Sequence, residues 1–443
     1  MTVAAHRASA AAPSPSDAGL QMHALMRELF PICRSITGDG VRETLRILSR
    51  HVPLEIREVP SGTACFDWTV PDEWNIRDAY VADEDGNRIL DFRKNNLHVV
   101  GYSEPVDATM TLEELRPHLH SRPDMPDAIP YVTSYYSRRW GFCLSQRQVE
   151  SLRPGRYRVR IDATLAPGAL TYGETYLPGE SEQEILLSTY VCHPSMANNE
   201  LSGPVLTAFL AAELQRRAKR RYSYRIVFVP ETIGALCYLS RNLDAMKDRV
   251  VGGYVITCVG GPDDFTYLLS RDGNALLDRA TLHVLKATGR PHRIVSFTKR
   301  GSDERQYNAP GIDLGVGSLM RSKYHDYPEY HTSADDLDFV TADHMAQSLS
   351  AYLDCIDALE VNVVPVTQTL GEPNLGKRGL YPTIGAAIDN GAFVDNLLAI
   401  LAYGDGSRDL IEIAEIHGKP VTDYADALAA LADNGLVKLE PAA

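Results

Sequence analysis

Hydrophobic positions along the chain recur with two different periods, and the way those periods alternate predicts the fold. Ile185 to Val191 is an almost continuous run of apolar and β-branched residues, the pattern of a central strand covered on both faces. It stops at His193-Pro194, where proline bars further pairing. A polar loop, Ser195 to Glu200, follows, and an apolar-periodic helix begins near Pro204-Val205. The same strand-then-helix rhythm continues through buried runs at 224–229, 253–259, 294–297 and 312–318, with helices over 275–288 and along the Met345, Leu349, Tyr352, Ile356 and Leu359 stripe. Strands alternating with helices predict an α/β fold with a doubly wound, mostly parallel sheet. Ahead of it, a helix capped by Ser16 runs through Leu20, Leu25 and Leu29, and Asp39 caps a second with Val41, Leu45, Leu48 and Val52 on one face.

The texture changes between 61 and 153. All three tryptophans, Trp68, Trp74 and Trp140, fall there with Tyr131, Tyr135 and Tyr136 among prolines and short strand-like runs. This reads as an inserted β-rich subdomain whose aromatics either form its own core or wall a substrate pocket. Tyr157 to Thr164 then alternates apolar and polar residues, a strand with one wet face that reads as the return to the edge of the main sheet. After Pro365 and the linker signal Gly371-Glu372-Pro373, three short helices (396–402, 410–417, 424–431) and a turn at Asn434-Gly435 predict a winged-helix module over 370–443. The main α/β domain therefore occupies 17–60 and 154–365, behind a tail over 1–16 that is Ala/Ser/Pro-rich and reads as disordered, without a secretory core.

Composition narrows the classes. A net charge of −14 argues against a nucleic-acid partner, and the third winged helix carries Asp423, Asp426 and Asp433 with no basic residue. Protein contact, through self-association or by covering the active-site mouth, is the better expectation for that module. Seven cysteines without a C-x-x-C pair fit a reducing cytoplasm, and no apolar run is long enough to span a membrane.

The candidate chemistry lies at strand ends, where ligands of open α/β sheets collect. His193, Glu231, Asp303 and His331 each sit at or after such an end. Two histidines and carboxylates from separate loops form the ligand set of a hydrolytic zinc site with an open position. No H-E-x-x-H helix, G-x-S-x-G elbow or P-loop is present, which removes three competing plans. In the turn Cys33 to Gly40, Arg34 either binds an anion or is solvated.

His193, Asn199-Glu200-Leu201-Ser202-Gly203, Glu231 with Gly234, and Tyr330-His331-Thr332 with Asp335 resemble the co-catalytic zinc aminopeptidases, whose kin include glutaminyl cyclase. More closely, Pro-Ile-Cys-Arg-Ser-Ile-Thr-Gly-Asp-Gly, Cys-His-Pro-Ser-Met-Ala-Asn, Gly-Ser-Asp-Glu-Arg-Gln-Tyr and Glu-Tyr-His-Thr-Ser-Ala-Asp resemble a bacterial aminopeptidase-like branch of unassigned substrate with an inserted domain and a C-terminal winged helix. The resemblance implies Glu231 as general base, or as a metal ligand if its loop has shifted. It implies Asp303 as a ligand or as holder of the substrate amine, and Asp335 as a residue acting from behind the ligands. Tyr324, Tyr327 and Tyr330 are candidates for an oxyanion donor, and Arg305, Tyr324 and Arg34 for substrate contacts.

The departures from the aminopeptidase pattern are specific. Ser195 stands where an aspartate orients the first histidine, Asn199 stands at the bridging aspartate, Thr232 at the carboxylate after the base, and Thr257 or Cys258 at the remaining aspartate. An amide cannot supply the anionic bridge of two zinc ions. The expectation is one zinc ion, drawn from His193, His331, Asp303, Glu200 and Asn199, in a cytoplasmic amide hydrolase that acts on a small peptide or amino-acyl conjugate as a homo-oligomer. The alternatives are a non-catalytic peptide-binding protein and an acyl-transfer or cyclisation enzyme.

Overall fold

The computed structural model describes residues 15–380 and 391–442. An eight-stranded mixed sheet forms its centre, made of β1 (Glu55–Pro60), β6 (Ala169–Leu177), β7 (Glu184–Tyr190), β8 (Ser223–Val229), β9 (Val250–Val255), β10 (Phe265–Leu268), β11 (His292–Val295) and β12 (Val316–Arg321). Its order is β1-β6-β8-β7-β9-β12-β10-β11. The middle strands β8, β7, β9 and β12 are parallel, and antiparallel pairings flank them. Every residue of β7 is buried. Ile185 and Leu187 join one apolar core and Leu186 and Tyr190 the other. Burial on both faces is what removes the polar alternation from this strand.

Helices cover both sides. Against the first core lie α1 (Pro15–Leu29), α2 (Asp39–Leu48), α3 (Ser202–Arg216), α5 (Leu276–Ala287) and α6 (Ala342–Val361), while α4 (Ile233–Arg249) contributes to the second. Val41, Leu45, Leu48 and Val52 are all fully buried, as their spacing requires. Helix α1 begins at Pro15, so Ser16 lies inside its first turn, and Leu20 is exposed; Ala18, Met22, Leu25, Met26 and Leu29 form the buried stripe. Asp39 opens α2 without capping it: its backbone N–H donates to Asn75 Oδ1 and its carboxylate pairs with Arg42. The tail read over 1–16 lies outside the described residues as far as residue 14.

The insertion is a second sheet with order β3-β2-β5-β4, built from β2 (Glu73–Ala82), β3 (Arg88–Asp91), β4 (Val106–Thr111) and β5 (Arg156–Ala166). Strand β5 has the expected alternation, with Tyr157, Val159, Ile161 and Ala163 buried, but it pairs with β2 and β4. The insertion therefore runs to Ala166, and the chain returns to the main sheet at Ala169. An amphipathic strand fits either sheet equally well, so its pattern does not identify its partners.

The strand Val363–Thr367 (β13) pairs antiparallel with Val437–Pro441 (β14), so Pro365 belongs to the wing and not to a linker. Helices α7 (Gly391–Tyr403), α8 (Leu410–His417) and α9 (Ala425–Asp433) complete the winged helix. The module is bound to the α/β domain through buried Asp409. That carboxylate accepts from Arg279 Nη1 (2.6 Å) and Asn362 Nδ2 (3.0 Å) and caps α8 through Glu412 N–H. Nearby, Val421 N–H donates to His283 Nε2 at 3.0 Å. No helix among the described residues is long and apolar enough to cross a membrane.

Candidate functional site

The carboxyl ends of β7 and β8 lie side by side. Val191 N–H still bonds Val229 O (2.8 Å), after which the chains splay into Cys192-His193 and Pro230-Glu231. Residues in the left-handed region of φ ring this edge: Ser195 (+43°), Thr232 (+64°), Cys258 (+52°), Ser322 (+52°) and His331 (+56°). Thr232 is the centre of a γ-turn, with ψ −77° and Ile233 N–H donating to Glu231 O at 2.8 Å. Such a turn is rare and strained. It is held by Asp303, whose Oδ1 accepts Thr232 N–H (2.7 Å), and by Arg305, whose Nη2 donates to Thr232 Oγ1 (2.7 Å).

His193 is fixed from behind. Its Nδ1 lies 3.1 Å from Glu200 Oε2, and Glu200 Oε1 accepts Cys192 N–H at 2.8 Å. The proton is thus held on Nδ1, leaving Nε2 3.7 Å from Glu231 Oε2. Burial opposes charge on the imidazole, but the hydrogen bond and field of Glu200, with Glu231, outweigh it and lift its pKa. Glu200, expected as a metal ligand, is instead the carboxylate that orients His193. It takes over the task of the aspartate that Ser195 replaces. Arg34 is neither solvated nor a substrate contact: fully buried, it donates from Nε to His193 O (2.9 Å) and from Nη1 to Leu29 O (2.8 Å), with Glu200 Oε1 at 3.4 Å. The anion it meets is the protein's own.

Glu231 Oε1 accepts from Ser302 Oγ at 2.7 Å, and its side chain is 23% exposed. Burial raises its pKa against the opposing pull of His193, Ser302 and Arg305. Asp303 is completely buried with Oδ2 unpartnered, and burial, then the Glu231 carboxylate, push its pKa far upward. Tyr131 N–H donates to His331 O at 2.8 Å, and the Tyr131 ring sits 5.1 Å from both histidine rings. The two imidazole centres are 5.4 Å apart. His331 Nε2 is buried without a partner, and burial, then His193, hold the ring neutral. Tyr330 stacks on His331 with centroids 3.9 Å apart.

Asp335 is completely buried. Its carboxylate accepts the amides of Ala197, Asn198 and Asn199 and the Tyr327 hydroxyl, capping the π-turn Ala197–Leu201. Asn199 Oδ1 accepts from Tyr190 Oη (2.8 Å), which in turn accepts from Thr257 Oγ1 (2.6 Å). Asn199 is thereby committed to a neutral network and is corrected from the ligand set. Tyr324 is also corrected: its buried hydroxyl donates to Glu304 Oε1 (2.7 Å) and accepts from Gly301 N–H (3.0 Å).

A cavity of about 250 Å³ opens beside Glu231, lined by Ile36, Trp68, Tyr135, Tyr136, Thr232 and Arg305, with Cys192 at its base. The insertion thus supplies aromatic walls through Trp68, Tyr135 and Tyr136, while Trp74 is buried, its Nε1 donating to Ser103 O. No described residue of the winged helix lines the cavity, so among the described residues that module does not cover the mouth. Sequence reasoning missed Cys192 and Ser302. Both adjoin quoted candidates, His193 and Asp303, and strand alternation alone did not turn them toward the site.

A family profile described as a domain of unknown function, DUF4910, matches residues 23–362, and a winged helix-turn-helix profile matches 362–439. The chain belongs to the DUF4910 family. A protein from Clostridium acetobutylicum, provisionally named a polysaccharide biosynthesis protein with an aminopeptidase-like domain, is 48% identical over 417 residues, covering 93% of this chain and 95% of its own. A crystal structure from the same organism, provisionally called a peptidase, superposes with TM-score 0.89 at 46% identity, over 96% of this chain and 97% of that one. The zinc aminopeptidase of Bacillus subtilis superposes with TM-score 0.55 at 13% identity, over 77% and 94%. The DUF4910 chain therefore has the aminopeptidase fold.

The donor set can accommodate a metal ion. Ligand atoms of Cys192, His193 and Glu231 lie within 4.8 Å of one another, and the unpartnered His331 Nε2 belongs to the adjoining ring. Asn199, Thr232 and Thr257 are neutral, so those three positions offer no anionic bridge for a second ion.

Proposed function

We propose that this DUF4910 protein is a single-metal amide hydrolase of the aminopeptidase-like type, acting on a small peptide or amino-acyl conjugate. The observation that carries the reading is the orientation of His193: Glu200 holds Nδ1, so Nε2 presents its lone pair toward Glu231 at a strand-end cavity. His193 and His331 would hold the ion. A bound zinc would polarise the amide carbonyl and lower the pKa of water. Glu231, steadied by Ser302, takes the attacking water's proton and returns it to the departing amine. Tyr330, whose ring stacks on His331, would donate its hydroxyl to the developing oxyanion. The name of the Clostridium relative suggests that the conjugate belongs to polysaccharide assembly.

Glu231→Gln tests this directly: turnover should fall at least 1,000-fold, roughly, with metal content unchanged. Loss of metal would make Glu231 a ligand, and retained turnover would refute the reading. The second reading, a peptide-binding protein without catalysis, is favoured by the three neutral replacements Asn199, Thr232 and Thr257.

A further inference from the structure

The fixed charge that the cavity offers its ligand is positive. Glu231 is the only carboxylate among the lining residues, and Ser302 and His193 already engage it. Asp303, Glu304 and Glu200 lie behind the wall at 1% exposure or less. Asp303 is turned to Thr232 N–H, Glu304 to Gly301 N–H, Ser302 N–H and Tyr324, and Glu200 to His193 and Arg34. None lines the cavity, although Oδ2 of Asp303 and Oε2 of Glu304 are buried without a partner. Arg305, by contrast, is exposed at the cavity wall, spends one N–H on Thr232 Oγ1, and has no ion-pair partner among the described residues. A guanidinium with spare donors beside an apolar aromatic wall matches an apolar group next to a carboxylate. Trp68 and Tyr136, edge to face at 5.5 Å and both exposed, form that wall with Ile36 and Tyr135.

We infer that the site selects an anionic, N-acylated substrate, an N-acyl amino acid read by its free carboxylate, with Arg305 as the specificity-determining residue, and not a substrate read by its α-ammonium. This deepens the hydrolase reading and rests on it for the placement of the amide beside Glu231. It inverts the polarity expected of an aminopeptidase. The Thr232 hydroxyl, standing where the aminopeptidases have a carboxylate, aims the arginine that would otherwise be neutralised there.

Three probes share one frame and differ in charge: N-acetylphenylalanine (anion), N-acetylphenylalaninamide (neutral) and phenylalaninamide (cation). Binding is measured by calorimetry on full-length Glu231→Gln protein, so that turnover does not interfere. The anion should bind about 10- to 100-fold more tightly than the neutral probe. Arg305→Met should erase that advantage while leaving neutral binding unchanged, and Arg305→Lys should restore part of it. Tightest binding of the cation, equal losses for all probes in Arg305→Met, or no binding of the anion at millimolar concentration would overturn the inference. Hydrolysis of the same probes by zinc-loaded native protein is scored separately. Arg305-dependent anion binding without any cleavage would leave the inference standing and remove the hydrolase reading; cleavage of the cationic probe alone would do the reverse.

Discussion

Replacing Glu200 by glutamine should damage stability and metal affinity together, through two separable routes. Glu200 and Arg34 face each other at 3.4 Å with both side chains fully buried. Neutralising one member leaves a guanidinium in the core with only backbone carbonyls and Thr44 to meet it. Breaking a buried pair this way costs about 3–5 kcal/mol. The second route is tautomeric. A glutamine that keeps its oxygen on Cys192 N–H turns its NH₂ toward His193 Nδ1, which must then accept, moving the ring proton to Nε2 and removing the lone pair a metal needs. Loss of such an orienting carboxylate lowers metal affinity about 10- to 100-fold. Urea unfolding of metal-free protein reads the first effect, and competition with a chromophoric chelator reads the second. Histidine nitrogen NMR shifts report the tautomer. The Arg34→Met/Glu200→Gln double variant should recover much of the stability and none of the metal affinity. A Glu200→Gln protein within about 1 kcal/mol of native stability, below the range expected for a broken buried pair, and with unchanged zinc affinity would refute the assignment.

Two further outcomes follow from the same geometry. Thr232→Gly relieves a positive-φ γ-turn worth roughly 1–3 kcal/mol of strain, against about 0.5–1 kcal/mol of added chain entropy. The variant should be as stable as native or more so, yet bind the anionic probe more weakly because Arg305 loses its anchor; a destabilised Thr232→Gly would mean that the turn is not strained. Asp409→Ala leaves Arg279 and Asn362 without their shared buried acceptor and uncaps α8, and should cost about 2–4 kcal/mol. Limited proteolysis should then separate the winged helix from the α/β domain, and an unchanged digestion pattern would place the docking energy elsewhere.

The legible parts of this fold were those in which a local pattern has one physical solution. An apolar run ended by His193-Pro194 can only be a covered strand delivering a histidine to the sheet edge, and the 3.6-residue stripes of α2 and α6 had one face to bury. What was not legible depended on partners distant in sequence. Strand β5 shows its wet face but not its neighbours. Strand β10, a short buried segment antiparallel to β12, carries no pattern distinguishing it from a loop. At the site, Arg34 and Glu200 read as solvent- and metal-facing because a lone charge in a sequence shows no counterion. Separated by 166 positions, they neutralise each other in the core. The aminopeptidase pattern identified which carboxylates were missing, but not that Glu200 replaces one of them from a different position.

That replacement bears on whether the site is decayed or rebuilt. A hydrolase site drifting toward a binding role loses its costly features first, because strain and buried charge are held only where something else requires them. Here Ser195, Thr232, Cys258, Ser322 and His331 retain left-handed backbone around the strand ends. Each neutral substitution has also acquired a partner: Asn199 and Thr257 share Tyr190, and Thr232 holds Arg305. His193 keeps an orienting carboxylate although the residue at the expected position is Ser195. Independent loss would leave these groups unpaired or turn them apolar. Their joint satisfaction, with Nδ2 of Asn199, Oδ2 of Asp303, Oε2 of Glu304, Nε2 of His331 and Nη2 of Arg34 left unpartnered around them, favours a centre reorganised around one ion and an anionic substrate over the remnant of a two-metal aminopeptidase.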